Sequence, residues 1–371
     1  MTGQRRVPPM QTAKRIGPWK ICYILSYRLP DYVRSTSLIQ ALSRLNHTVL
    51  CKAVNSSRGW RRYIETFARL IRCRHREQPD FYVLGFRGYE IFWAVRLLTA
   101  GKVLIVDHMM SPYDSLLNER KAFRKGSLLE KLVYRYERGV LRASDIVLTD
   151  TGSHCEYFSG LFGIPPEKII AVPVGTDEEM FRPRPDNGHG GDGPLRVFFY
   201  GTFLPLHGTP VILEAARLLR DKPVHFILAG GKAPGAGPIQ GNRPPLPNVT
   251  YRGWVPYEEL PGMIARADLC LGGPFGDTGQ AGRVITGKTF QFLAMGKPVV
   301  VGRIEGSPGF EDRCNCLLVP RGSGEELARA ILWCHENRDR LEDIGRNGRL
   351  LYDRLFSTEC ITRRLQPLFE P

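Results

Sequence analysis

The stretch Gly282-Arg283-Val284-Ile285-Thr286-Gly287-Lys288-Thr289-Phe290-Gln291-Phe292-Leu293-Ala294-Met295-Gly296-Lys297-Pro298-Val299-Val300-Val301 sets a cationic, glycine-bounded loop before a short helical run that leads into an apolar strand. Amides at a helix start lack intrahelical partners and carry the positive end of the helix dipole, so an anion settles there, and Lys288 adds a full charge. The reading is a site for a phosphate-bearing ligand, set in an α/β fold.

Outward from this stretch, short apolar runs alternate with helical patterns, as in a βαβ series with a parallel sheet covered by helices. Strands are predicted at 21–25, 48–53, 81–85, 103–106, 146–149 and 169–172. A second series is predicted at 196–200, 225–229, 249–252, 268–272, 298–301 and 316–319. Between the series, 182–194 is too rich in Pro and Gly for packed structure and reads as a linker. The expected organisation is a first domain over 1–182, a linker over 183–194, a second domain over 195–355 and a closing segment, 356–371, that crosses back to the first. Ligands of open α/β sheets bind beyond the carboxyl ends of the strands, so the pocket is expected between two Rossmann-like halves. The Pro- and Gly-rich 235–247 follows a strand ending Ala229-Gly230-Gly231 and reads as a lid or a surface insertion.

Gly282 to Thr289 spells G-x-x-x-x-G-K-T, the pattern of a nucleotide-hydrolysing P-loop. A true P-loop leaves a buried strand directly and is followed by a strand ending in a magnesium-handling Asp. Here Pro274, Gly276 and Gly279 intervene after the preceding strand, and neither downstream strand ends in Asp. A P-loop-like NTPase is therefore the alternative reading.

The same stretch resembles the donor-binding segment of glycosyltransferase family 4, roughly K-x-x-E-x-L-A-x-G-x-P-V. Other matches follow in the family's order: 145–154, 162–177 and 181–183, then Tyr200-Gly201-Thr202-Phe203-Leu204-Pro205-Leu206-His207-Gly208 with 214–219, then 251–260 and 267–268, and finally 356–359. Each is weak alone, but in sequence across most of the chain they imply the two-domain GT-B architecture. The resemblance implies a retaining, metal-independent transfer from a nucleotide sugar, of UDP or GDP type, to a saccharide or lipid-linked saccharide, with no cofactor. It places Gly201, Thr202, His207, Gly230, Trp254, Asp277, Gly282 and Gln291 on the donor, and Asp107 and His108 near the transferred sugar, although His108 reads equally as a structural, hydrogen-bonded histidine at a strand end. Arg28 and Arg34 fall where the family's glycine-rich acceptor loop would be, which suggests an anionic acceptor.

A departing nucleoside diphosphate must be stabilised by a metal on acidic residues or by fixed cations and helix-end amides. The chain contains no Asp-x-Asp pair, so the expectation is the cationic solution, through Lys288 and Arg283. The family's Arg and Lys after the second domain's first strand read Thr202 and His207 here. Its two glutamates, eight residues apart, become Arg283 and Gln291 in a gapless match; with a slip, Asp277 takes the first acidic role. Gln291 can still bond ribose hydroxyls, whereas Arg283 suits phosphate or a carboxylated sugar. A catalytically inactive relative is a further alternative.

Of the 371 residues, 52 are Lys or Arg and 37 Asp or Glu, giving a net charge of +15 and a surface that attracts anions. Nucleic acid is not expected as a partner, because no recognised module or aromatic-basic platform accompanies the charge. Ile64, Phe67, Ala68 and Ile71, and again Leu129, Leu132, Val133, Tyr136 and Val140, are predicted to face the core from two helices. Their basic stripes (Arg61, Arg69, Arg72, Arg76; Lys131, Arg135, Arg138, Arg142) read as solvated faces or as a surface for anionic lipid. The N-terminal segment lacks an apolar signal core and no run is long enough to span a bilayer, so a cytoplasmic protein, peripheral on a membrane at most, is expected. The nine cysteines are scattered, and their spacing implies neither zinc site nor disulfide framework, as in a reducing cytosol.

Overall fold

The computed structural model describes residues 17–119, 122–184, 193–231, 246–306 and 309–369. The linker centre and nearly all of the expected lid loop lie outside these residues. The chain divides into two compact units, one of residues 1–175 with 358–371 and one of 176–357.

The first unit holds a six-stranded sheet of order β2-β1-β3-β4-β5-β6, all neighbours parallel. Its strands are β1 (Trp19–Leu25), β2 (Thr48–Val54), β3 (Phe81–Leu84), β4 (Val103–Asp107), β5 (Ile146–Thr149) and β6 (Ile169–Ala171). The inner strands are buried on both faces and read as continuous apolar runs rather than alternations, whereas edge strand β2 is largely open, with Val49 47% exposed. Side chains still alternate along β1. Ile21, Tyr23 and Leu25 share a core with Leu38 and Ala41 of helix Val33–Ser43 and with Ile361 and Leu365 of helix Thr358–Leu365. Cys22 and Ile24 face the other way, toward Leu70 of helix Arg61–Arg76, Phe92 and Val95 of helix Phe92–Leu98, and Val140 of helix Leu128–Ala143.

The second sheet has the order β12-β11-β10-β7-β8-β9, again all parallel. Its strands are β7 (Leu195–Tyr200), β8 (Val224–Ala229), β9 (Val249–Arg252), β10 (Leu269–Leu271), β11 (Val299–Gly302) and β12 (Leu317–Val319). Chain order reverses between β7, which leads on to β8, and its other neighbour β10. Loops diverge at such a point and leave room for a ligand.

The outer helices correct one expectation. Ile64 and Ile71 are 60% and 43% exposed, and the buried positions of that helix are Thr66 and Leu70. At about 100° per residue, 64, 68 and 71 lie roughly 140° round the helix from 63, 66, 70 and 73, which meet the sheet. Likewise Leu128, Leu129, Leu132 and Tyr136 are exposed, and Glu137, Val140 and Leu141 are buried. Phe67 and Val140 pack against the core as expected, but much of each apolar stripe lies off the docking face. Among the described residues, no helix is long and apolar enough to cross a membrane.

Candidate functional site

In the second unit, the loops after β7 and β10 pack at the switch point. The amide of Gly276 donates to the Leu206 carbonyl at 3.0 Å, and a Cβ on Gly208, whose φ is +65°, would lie 2.4 Å from the Phe275 carbonyl carbon. Helix Gly287–Ala294 starts beside these loops. The Thr286 hydroxyl donates to the Gly272 carbonyl at 2.6 Å and so ties the helix start to the end of β10 instead of capping the first turn.

Lys288 sits in that first turn and is buried, with its Nζ 5.1 Å from the centre of the Phe199 ring. Burial lowers its ammonium to about 7, with no carboxylate offsetting the shift. Gly201 closes the other side: a Cβ there would lie 3.1 Å from His207 Nδ1 and 3.6 Å from Lys288 Cε. Burial and the Lys288 charge hold the His207 imidazole well below its usual range, so it is neutral at pH 7, and its buried Nδ1 has no hydrogen-bond partner. Gly230 lies against the Gly201 backbone, where a Cβ would come within 2.4 Å of the Gly201 oxygen. Lys288, Gly201, His207 and Gly230 therefore form one cluster. Thr202 and Trp254 are exposed; Trp254 follows Gly253, whose carbonyl accepts from the Gly230 amide at 3.0 Å.

Gln291, one turn further along the helix, is buried. Its Nε2 donates to the Tyr257 hydroxyl at 2.8 Å, and its Oε1 has no partner. Tyr257 rests on Phe181 at 5.3 Å, and burial pushes its phenol up to about 12. Sequence reasoning covered Tyr257 only as part of a motif and missed its pairing with Gln291.

Gly282 lies inside a short 3-10 turn, Gln280–Gly282, and Arg283 follows it, partly buried beside Gly279. A second guanidinium, absent from the sequence reading, meets this loop: Arg321 Nη1 donates to the Thr278 carbonyl at 3.1 Å, and its Nη2 lies 3.1 Å from where a Gly282 Cβ would be. Asp277 is exposed and lines a pocket of about 500 Å³ with Arg303, Glu305 and Arg321, a pocket whose lining does not include Lys288. A loop with its own 3-10 turn thus separates β10 from the helix, so Gly282 does not leave a strand as a P-loop glycine does. The NTPase alternative is not favoured.

In the first unit, Arg34 and Asp107 are buried and bound to each other. The guanidinium reaches Asp107 Oδ1 at 2.8 Å through Nη2 and 3.0 Å through Nε, and Nη1 donates to the Val172 and Pro173 carbonyls at 2.6 and 2.9 Å. Burial pushes the Asp107 carboxyl up and Arg34 pulls it back. An acceptor-facing role for Arg34 does not fit this placement, since its donors join the carboxyl ends of neighbouring strands; Arg28 is exposed. His108 is also buried: its Nε2 is 2.9 Å from Glu137 Oε1, and its Nδ1 has no partner. Glu137 Oε2 accepts from the Tyr113 amide at 2.7 Å. The expectation of no metal site also meets a convergence that spacing hides: the sulfurs of Cys22, Cys51 and Cys73 lie within 4.8 Å of one another.

Residues 194–337 match the family model described as glycosyl transferases group 1. The matched stretch lies within the second unit, which is thus similar to a group 1 glycosyl transferase domain. Over 240 residues the chain is 28% identical to the D-inositol 3-phosphate glycosyltransferase of Segniliparus rotundus, a match that takes in 60% of this chain and 52% of that relative. The chain thus spans about half the length of this curated relative. HepE of Anabaena in complex with UDP-glucose superposes with a TM-score of 0.68 at 16% identity, covering 93% of this chain and 98% of HepE. Sucrose-phosphate synthase from Thermosynechococcus elongatus gives 0.69 at 16% identity, covering 95% and 98%. These likenesses extend the GT-B fold over both units, and the matched stretch contains the whole Lys288 cluster.

Proposed function

We propose that the protein is a glycosyltransferase that moves a sugar from a nucleotide-sugar donor to a saccharide or lipid-linked acceptor, with retention and without a metal. The observation that carries this reading is Lys288, a buried ammonium in the first turn of a helix at the sheet's switch point, with no carboxylate against it. A diphosphate supplies the missing counter-charge, and first-turn amides add to it. His207, neutral, donates or accepts a hydrogen bond where the family carries a second cation. Gln291 Oε1 takes a ribose hydroxyl in place of the family's glutamate, and Gly201 and Gly230 allow close backbone approach to the diphosphate. The leaving phosphate takes the acceptor's proton, so no strong protein base is needed. The test is calorimetric titration with single nucleotide sugars, UDP-glucose first. Lys288→Ala should weaken binding by about 1.5–3 kcal/mol, or roughly 10- to 150-fold. Equal affinity in a folded variant removes Lys288 from the donor site, and the reading with it.

The acceptor reading rests on the first unit, where exposed Arg28 suits an anionic acceptor, and Asp107 and His108, buried on Arg34 and Glu137, act by holding the strand ends in place. Exposed Trp93, Leu97, Leu128 and Leu132, with exposed Lys131, Arg135 and Arg142, suit the surface of an anionic membrane and thus a lipid-linked acceptor used from the cytoplasmic side, as in polysaccharide biosynthesis. The chelator test is direct: transfer should persist in its presence, and full dependence on added magnesium would contradict the cationic mechanism.

A further inference from the structure

Cys22 lies in β1, Cys51 in β2 and Cys73 in helix Arg61–Arg76. Cys22 and Cys51 stand directly opposite each other in the parallel register, and the helix that covers this face of the sheet brings Cys73 onto the pair. The three sulfurs all lie within 4.8 Å of one another. Cysteine packs well as a small apolar side chain, and Cys22 alone needs no other account. Cys51 and Cys73, however, are half-exposed, so solvent and ions reach the cluster.

We infer that these three thiols form a binding site for a thiophilic d10 cation, Zn(II) or Cu(I), which ties helix Arg61–Arg76 to the first sheet. Sulfur is the ligand such ions prefer. At a Zn–S distance of about 2.3 Å, the sulfurs of a tetrahedral site lie about 3.8 Å apart, so the cluster closes on an ion through side-chain adjustment of about 1 Å or less. Loading replaces three S–H bonds with three S–metal bonds and releases three protons, giving a site of net charge −1 with Zn(II), whose fourth position is left to water, or −2 with three-coordinate Cu(I). Cys73 now makes a long contact of 3.9 Å with the Lys52 carbonyl, which the metal bond replaces.

The full-length protein, reduced and stripped of metal, is titrated with Zn(II) and separately with Cu(I), each against a chromophoric chelator, and with Co(II) for its thiolate charge-transfer band. The expected result is one tight equivalent, unchanged in Cys314→Ser, whose thiol is exposed and far along the chain. Loss of a ligand costs more than the roughly 10- to 100-fold typical of a supporting residue, so Cys51→Ser and Cys73→Ser should each lose over about 100-fold in affinity. Alkylation of the wild type, read by mass spectrometry, gives a result that does not depend on how the variants fold: the added metal should protect Cys22, Cys51 and Cys73 together. Binding preferred for Zn(II) identifies the four-coordinate form and for Cu(I) the three-coordinate form. No stoichiometric uptake of any of the three ions, or protection of other cysteines instead, overturns the inference, and so does disulfide formation among the three without metal uptake.

Discussion

Lys288 is held at a pKa of about 7 by burial, far below the usual value for a lysine, and two pH effects of opposite sense follow. Its folded pKa lies below its unfolded one, so the unfolded chain binds the proton more tightly. The buried charge therefore destabilises the fold below about pH 7, and the penalty fades as pH rises from there toward 10.5. Lys288→Met should raise the melting temperature of the ligand-free protein at pH 6 and change it little at pH 10; equal shifts at both would show that the charge carries no penalty. Donor binding runs the other way, because a diphosphate needs the ammonium. Affinity should fall as pH rises above about 7, approaching tenfold per pH unit, and Lys288→Arg, which stays charged, should flatten that slope even if it binds more weakly. Arg283 supplies a second test at this scale. If it faces phosphate or a sugar carboxylate, Arg283→Glu abolishes turnover; activity restored toward a neutral sugar would show instead that a family-like glutamate is tolerated there.

At the scale of elements, the strands of the described residues were legible because inner parallel strands, buried on both faces, leave unbroken apolar runs bounded by Gly, Pro and charged residues, which also frame the edge strands β2 and β9. The helix at Lys288 was legible from its glycine boundaries. What the chain did not disclose is which side of an outer helix meets the sheet, since that depends on neighbours far away in sequence. Glu137 pairs with His108 across 29 positions, Gln291 with Tyr257 across 34, and three cysteines from three elements meet at one point. None of these pairings has a local signature. The exposed apolar stripe of helix Leu128–Ala143 carries its own prediction. Arg138 donates to the Phe162 carbonyl at 3.1 Å and is tied into the unit, whereas Lys131, Arg135 and Arg142 are the exposed charges of the stripe, suited to a membrane. Each contributes about 1 kcal/mol near an anionic surface, and Leu128 and Leu132 add apolar contact. Changing the three cations to Gln should largely abolish sedimentation with anionic vesicles at low salt, and changing Leu128 and Leu132 to Ser should weaken what persists at high salt. A wild type that ignores anionic vesicles would make the acceptor a soluble one.

Over the whole molecule, the first unit is discontinuous in sequence: its core is completed by residues that follow the entire second unit. Ile361, Leu365, Leu368 and Phe369 are buried among the side chains of β1, β3 and helix Val33–Ser43, and Phe369 meets Phe81 edge-on at 5.0 Å. Thr362 also donates to the Ala41 carbonyl at 3.2 Å. Burial of an apolar side chain of this size stabilises by about 1.5–3 kcal/mol, so the four together contribute roughly 6–12 kcal/mol. That is comparable to the whole stability of an ordinary domain, about 5–15 kcal/mol. A chain ending at Ser357 should therefore fail to keep its first unit folded, while the second, whose core lies within 176–357, retains its structure. Hydrogen exchange read by mass spectrometry separates the two outcomes. Protection of β1 to β3 should collapse in the truncated chain while β7, β8 and β10 keep theirs, and adding the 358–371 peptide in trans should restore part of the lost protection. Full protection of β1 to β3 without these residues would mean that the first unit folds from 17–175 alone, with the closing helix only resting on it.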